Sequence, residues 1–201
     1  MDGSPLVDTP PPIDAAPAMV TLSQTSQTTI GPSSSVTCGN STTTSENSWY
    51  RVFKLSDSGI TSDLTLSTIS FGVQEAVGTP TVDIKVGTYA GVASTTSIDP
   101  SMITPIATAT ATVADATATT TRLDTVPLAA TIPAGSQLVV EIHLASQTNK
   151  IFYIGGNASA ETHVSYLRAP ACITDGTVKT PAALGFATSA IVIIATGTHQ
   201  P

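Results

Sequence analysis

The residues best suited to chemistry in this sequence are three histidines and a scatter of carboxylates. His143 follows Glu141 by two positions in LVVEIHL, so a strand would carry both side chains on one face, where they could sit as adjacent metal ligands. No third ligand accompanies them, and a solvated strand face is the expected role. His163 stands just before SYLRAP, and His199 belongs to the C-terminal tail. Glu46, Asp57, Asp63 and Glu75 flank the early apolar blocks. Loop carboxylates suit a hard cation, and calcium is the metal they would take. No DxDxDG-type loop supports them, so ordinary turn and capping roles compete with that reading. GxSxG, HExxH, a P-loop and a dinucleotide fingerprint are all absent from the sequence. A hydrolase would therefore have to bring together two carboxylates or a Ser/His pair by folding alone. The expectation is a chain without catalytic residues and without a resident cofactor.

Aromatic rings are the other chemically useful group, because sugars stack on exposed Trp and Tyr. Trp49 is the only tryptophan, and aromatic residues make up 4% of the chain. Neighbouring residues of a strand face opposite ways, so Trp49 and Tyr50 cannot both enter a core. Trp49 and Phe53 are expected inside, with Arg51 pairing nearby, which leaves Tyr50 outside as a candidate ligand-binding ring. Tyr89, Tyr153 and Tyr166 complete that candidate set. Arg168, between Leu167 and Pro170, is expected to act as a structural hydrogen-bond hub.

The elements that must position these groups read as strands. No stretch of helical length keeps a 3.6-residue apolar period, whereas alternation at period two recurs. SWYRVFKL at 48–55 sets Trp49, Arg51 and Phe53 against Tyr50, Val52 and Leu55. Ile69, Phe71 and Val73 share one face, as do Val82, Ile84 and Val86, with Asp83 and Lys85 opposite. Pro133, Ala134 and Gly135 should turn the chain into a strand whose Leu138, Val140, Ile142 and Leu144 form an apolar row. PIATATATVAD alternates Ala107, Ala109 and Ala111 with Thr108, Thr110 and Thr112. An alanine face buries little area, so this strand should pack very closely or lie at an edge, where a long uncharged strand invites pairing with another chain. Pro181–Gly185 is the one short helical candidate. Nine or ten such strands predict an all-β, two-sheet antiparallel β-sandwich, jelly-roll-like rather than immunoglobulin-like on strand number.

Composition sets the surroundings. The 201 residues contain 35 Thr and 22 Ser against 7 Lys and Arg, and the net charge is −7. A surface so poor in cations cannot neutralise phosphates, which excludes nucleic acid as a partner. No apolar run reaches the length of a membrane span. Residues 1–18, with five prolines, read as a spacer, and 19–201 as one domain. The spacer has no apolar signal region, so the chain is expected to be a trimmed form of an exported protein, with lipid anchoring through an upstream segment in view because Asp/Pro/Ala stalks follow lipidated cysteines. Cys38 and Cys172, the only two cysteines, are read as a disulfide on count and compartment.

TTTSENSWYRVF at 42–53, LSTISFGVQEA at 66–76, IPAGSQLVVEI and IGGNASAETHVSYLRAPAC at 154–172 together resemble an uncharacterised β-sandwich domain of secreted and cell-surface bacterial proteins. The resemblance covers roughly 35–196, implies pairing of Cys38 with Cys172, and brings no catalytic residues. In such a setting the sequons at Asn40 and Asn157 are chance matches. The expected function is that of an extracellular structural or interaction domain, a surface or filament subunit assembling by strand addition. In one version residues near 1–29 complete the sheet of a neighbouring copy. The alternative is a carbohydrate-binding or adhesion module assisted by calcium, so the expected partners are further copies, other cell-surface proteins or a glycan.

Overall fold

The computed structural model describes residues 16–201; the Pro-rich stretch 1–15 lies outside them. Eleven strands make two antiparallel sheets, one more strand than the upper expectation because a two-residue strand forms near the C-terminus. The first sheet has the order β5-β4-β7-β2-β9, from Ile103–Thr112, Thr81–Tyr89, Gln137–Leu144, Asn47–Lys54 and Tyr166–Arg168. The second is centred on the fourteen-residue β3 (Leu64–Val77). β6 (Arg122–Ile132) lines one edge of β3, while β11 (Ile193–His199) and β8 (Ile151–Asn157) share the other in tandem. β1 (Ala18–Ser23) pairs with β11, and β10 (Ala190–Ile191) pairs with β8.

That sharing makes a fork. β10 and β11 are one nearly continuous strand, and β8 wedges between it and β3. Val192 sits at the branch, donating to Gly155 O (3.1 Å) and accepting from Gly72 N (3.0 Å). The expected PAG turn is present between β6 and β7, with Gly135 at φ 72°. The helical candidate is a single 3-10 turn at Ala182–Leu184, ended by left-handed Gly185.

The main core fills the space between the sheets, as alternation requires. Trp49, Phe71 and Phe152 form its centre, with Phe152 edge-on to both rings at 5.6 and 6.2 Å between centroids. The row Leu138, Val140, Ile142 and Leu144 faces inward as expected. β2, however, is buried on both faces. The connections 90–102 and 169–189 fold over the outside of the first sheet, where Tyr50, Val52, Tyr89, Ile98, Val139, Tyr166 and Val178 form a second apolar cluster. A layer built from loops leaves no periodic signal, and this is why alternation alone placed Tyr50 in solvent. The disulfide Cys38–Cys172 is formed, with 5.9 Å between Cα atoms, and ties the segment before β2 to the one after β9.

Candidate functional site

Tyr50, Tyr89 and Tyr166 are buried, with 3%, 4% and 1% of their surface exposed, so the expectation of exposed stacking rings at these positions is overturned. Each hydroxyl serves the loop layer or its edge. Tyr166 donates to Ser94 O at 2.7 Å, Tyr89 accepts from Asp99 N at 3.1 Å, and Tyr50 donates to Glu141 at 3.2 Å. Burial pushes the Tyr166 phenol up to about 12, and burial with the Glu141 carboxylate alongside raises Tyr50 further. Only Tyr153 of the four is half-exposed, and it donates to Asn40 O at 3.2 Å.

The four carboxylates offered for calcium are kept apart, each with its own partner or place. Glu46 holds Arg168 at 2.6 Å, which makes Arg168 a surface ion-pair partner, and Asp63 caps Ala134 N at 2.8 Å. Asp57 stands 3.6 Å from His163 and 3.7 Å from Lys54, while Glu75 lies on β3 opposite Tyr153. Among the described residues no three His, Cys, Asp or Glu side chains converge to hold a metal. The placement separates the proposed ligands because they come from the residue before β2, the turn after it, the residue before β3 and the far part of β3.

A Ser/His pair that sequence spacing did not reveal is present. Register sets Ser48 of β2 directly opposite His143 of β7, and Ser48 Oγ lies 2.9 Å from His143 Nδ1, with Glu141 3.8 Å from the same nitrogen. Ser48 is 1% exposed, so its oxygen is closed to a substrate carbonyl in this structure. The pair works as a cross-strand tie. Only the pairing of two strands 95 positions apart could have disclosed it.

A cleft of about 300 Å³ opens between β1 and the turn after β2, lined by Ser23, Gln24, Lys54, Asp57 and His163. Beneath it Gln24 is held in place, donating to Val52 O at 2.5 Å and accepting from Arg51. Asp57 pairs with Lys54 and His163 within the cleft, while Gln24 is taken up by groups beneath it.

The remaining candidate is a sheet edge. Among the described residues β5 pairs with β4 on one side and with no strand on the other. Val113 N donates to Pro80 O at 2.8 Å, so alternation along the ladder turns the backbone groups of Ala107, Ala109 and Ala111 toward β4 and those of Thr108, Thr110 and Thr112 outward. Pro105, beside the bulge at Val86/Gly87, takes an outward position where its missing N–H costs no ladder bond. The strand carries no charge. Its core-facing alanines are only half-buried and its threonines are exposed, as are Ile106 and Met102 at 40% and 42%. β1, by contrast, is taken up in its own sheet: Ala18 pairs with His199 and Ser23 with Ile194 along β11 of the same chain.

The fold thus defines an all-β, two-sheet antiparallel sandwich, jelly-roll-like in class, with a disulfide. No family model matches the chain, and no curated protein matches it. Among solved structures it is similar to that of infectious bursal disease virus Gx strain (13% identity, TM-score 0.31, 98% of this chain and 41% of that one). It is similar also to the infectious bursal disease virus VP2 subviral particle (12%, 0.31, 98% and 46%) and to the Gt strain of that virus (12%, 0.32, 98% and 43%). The chain spans less than half the length of each. Likeness at this level establishes neither common descent nor a common activity.

Proposed function

We propose that this chain is a non-catalytic extracellular structural or interaction domain that joins its neighbours by strand addition. One observation carries the reading: β5, Ile103–Thr112, is a ten-residue uncharged edge whose outward backbone groups have no strand partner among the described residues. Native sheets usually protect such an edge with charge or cover, and among the described residues only Pro105 and the adjacent bulge do so. Strand addition takes its affinity from main-chain hydrogen bonds and needs no charged surface, which agrees with 7 cations in 201 residues. The extracellular setting is supported by the Cys38–Cys172 disulfide and by the resemblance to secreted and surface β-sandwich domains. Among the described residues no helix is long and apolar enough to cross a membrane.

Molecular mass measured by sedimentation over a hundredfold range of concentration tests the reading. Growth beyond the 20.4 kDa of one chain supports it. A single species of that mass at every concentration, with no binding to other surface proteins, overturns it.

A further inference from the structure

Resting on that reading, we infer that the strand added to β5 is β5 of a second copy, paired antiparallel about a two-fold axis through Ala109, so that assembly closes as a dimer with one continuous sheet. A strand paired antiparallel with its own copy is two-fold by construction, and isologous contacts close. The chemistry of this strand fits that occupant. Thr and Ala alternate strictly from Ala107 to Thr112, so an antiparallel copy shifted by whole repeats always sets threonine against threonine on the outer face and alanine against alanine on the inner one.

Two independent features select the register. Pro105 and the end of β5 at Thr112 bound a usable segment, 106–112, whose midpoint is Ala109. Charge on the neighbouring strand agrees with that choice in sign, at about 14 Å and with Lys85 also paired to Glu141 of β7 at 3.6 Å. Asp83 stands beside Thr110 and Lys85 beside Thr108. Centring on Ala109 pairs Thr108 with Thr110 of the second copy, so Lys85 of one chain and Asp83 of the other flank the same threonine pair. Centring on Thr110 or Thr108 would instead align Asp83 with Asp83, or Lys85 with Lys85. In the selected register Thr108 and Thr110 exchange their free N–H and C=O groups with the opposite copy, and Ile106 comes to lie against the other chain instead of solvent.

The geometry gives a direct probe. Ala109 would face its own copy in a non-hydrogen-bonded pair, with Cα atoms about 4.5 Å apart, within disulfide range. Ala111 would stand roughly 13 Å from Ala111 of the other copy, four residues along the strand. The full chain carrying Ala109→Cys is therefore expected to give a disulfide-linked dimer on mild oxidation, and the chain carrying Ala111→Cys to remain single on a non-reducing gel. In parallel, the unmodified chain should sediment at twice 20.4 kDa. Thr108→Pro removes an outward donor without touching a bond to β4, and should shift that species to the single-chain mass while the circular dichroism spectrum stays unchanged. If the unmodified chain associates but cross-links equally through both cysteines or through neither, or assembles beyond a dimer, the two-fold β5 pairing is wrong and the broader reading stands. If the unmodified chain never self-associates, the β5 pairing fails, and if it also binds no other surface protein the broader reading fails with it.

Discussion

Arg51 and Glu161 form an ion pair whose guanidinium has no exposed surface, while the carboxylate side chain keeps 17%. Arg51 lies on the core face of β2 between Trp49 and Phe53, a position where an apolar side chain would be usual. Its remaining donors reach Ile191 O at 3.0 and 2.5 Å and His163 O at 2.7 Å. Desolvation lowers its pKa, and the Glu161 carboxylate acts in the opposite direction. One side chain from the first sheet therefore holds the backbone of β10 in the second and the segment that follows β8.

Removing one partner of such a pair leaves a buried charge or buried carbonyls uncompensated, which costs about 3–5 kcal/mol. Arg51→Ala is expected to fall in that range, and Glu161→Ala toward its lower end, because its carboxylate is partly wet. Urea unfolding of the two variants checks this. Arg51→Met, which keeps the volume, should recover only part of the loss, since Ile191 O and His163 O still lose their donors. A loss below about 1 kcal/mol for Arg51→Ala would contradict the role described.

The Cys38–Cys172 bridge spans 134 positions, and chain entropy gives a loop of that length about 4–5 kcal/mol. Replacing both cysteines by serine should lower the melting temperature by roughly 8–20 °C for a chain of this size. Calorimetry with and without reductant should give matching shifts. A shift under a few degrees would mean that the loop and strand contacts around Trp49 already hold those segments together.

How far the sequence disclosed this molecule depends on where each signal resides. β3, β4 and β7 were legible because one face of each meets the core, and alternation records that directly. The alanine strand was legible as one that packs closely or lies at an edge, and it does both: Ala107, Ala109 and Ala111 pack against the core while the strand ends its sheet. Burial of Tyr50, Tyr89 and Tyr166 was not legible, since the layer over them consists of connections without period. Ser48 beside His143, and Glu161 beneath Arg51, depend on strand register and loop return, which no local pattern encodes. The carboxylates were visible as residues, but their separation follows from topology.

Alkaline titration tests the loop layer. A phenol whose folded pKa is raised binds its proton more tightly in the native state, so its contribution to stability is intact below the unfolded value near 10 and is lost as pH rises through the folded value. For Tyr166 that window runs from about 10 to about 12, and Tyr50 lies higher still. Unfolding monitored by circular dichroism should therefore begin above about pH 10, with the late phenolate absorbance appearing together with loss of structure. Tyr166→Phe removes the hydrogen bond to Ser94 O and one of the two raised phenols, and should reduce the late absorbance step. Smooth ionisation of all tyrosines in the intact fold would show that the loop layer is open to water.

The fork in the second sheet makes the strongest demand on particular residues. A Cβ added at Gly72 would lie 2.7 Å from Gly155 O and 2.6 Å from Ile30 Cδ1, and one added at Gly155 would lie 2.8 Å from the carbonyl carbon of Gly72. Backbone stands on one side in both cases, so neither contact can be relieved by a side-chain rotation alone. Ile30 caps this point and packs with Val192 and Ile194, closing the outer surface over the branch. Gly72→Ala and Gly155→Ala should each cost about 1–3 kcal/mol, the usual penalty for overpacking, and each should loosen the Val192 amide, which donates to Gly155 O. Hydrogen exchange at Val192 reads this locally. Ile30→Ala combined with Gly72→Ala relieves the side-chain clash but leaves the carbonyl contact, so the double variant should remain destabilised relative to Ile30→Ala alone. Equal stability of those two chains would show that β3 and β8 can separate at the branch without loss, and the fork would then not constrain the sheet.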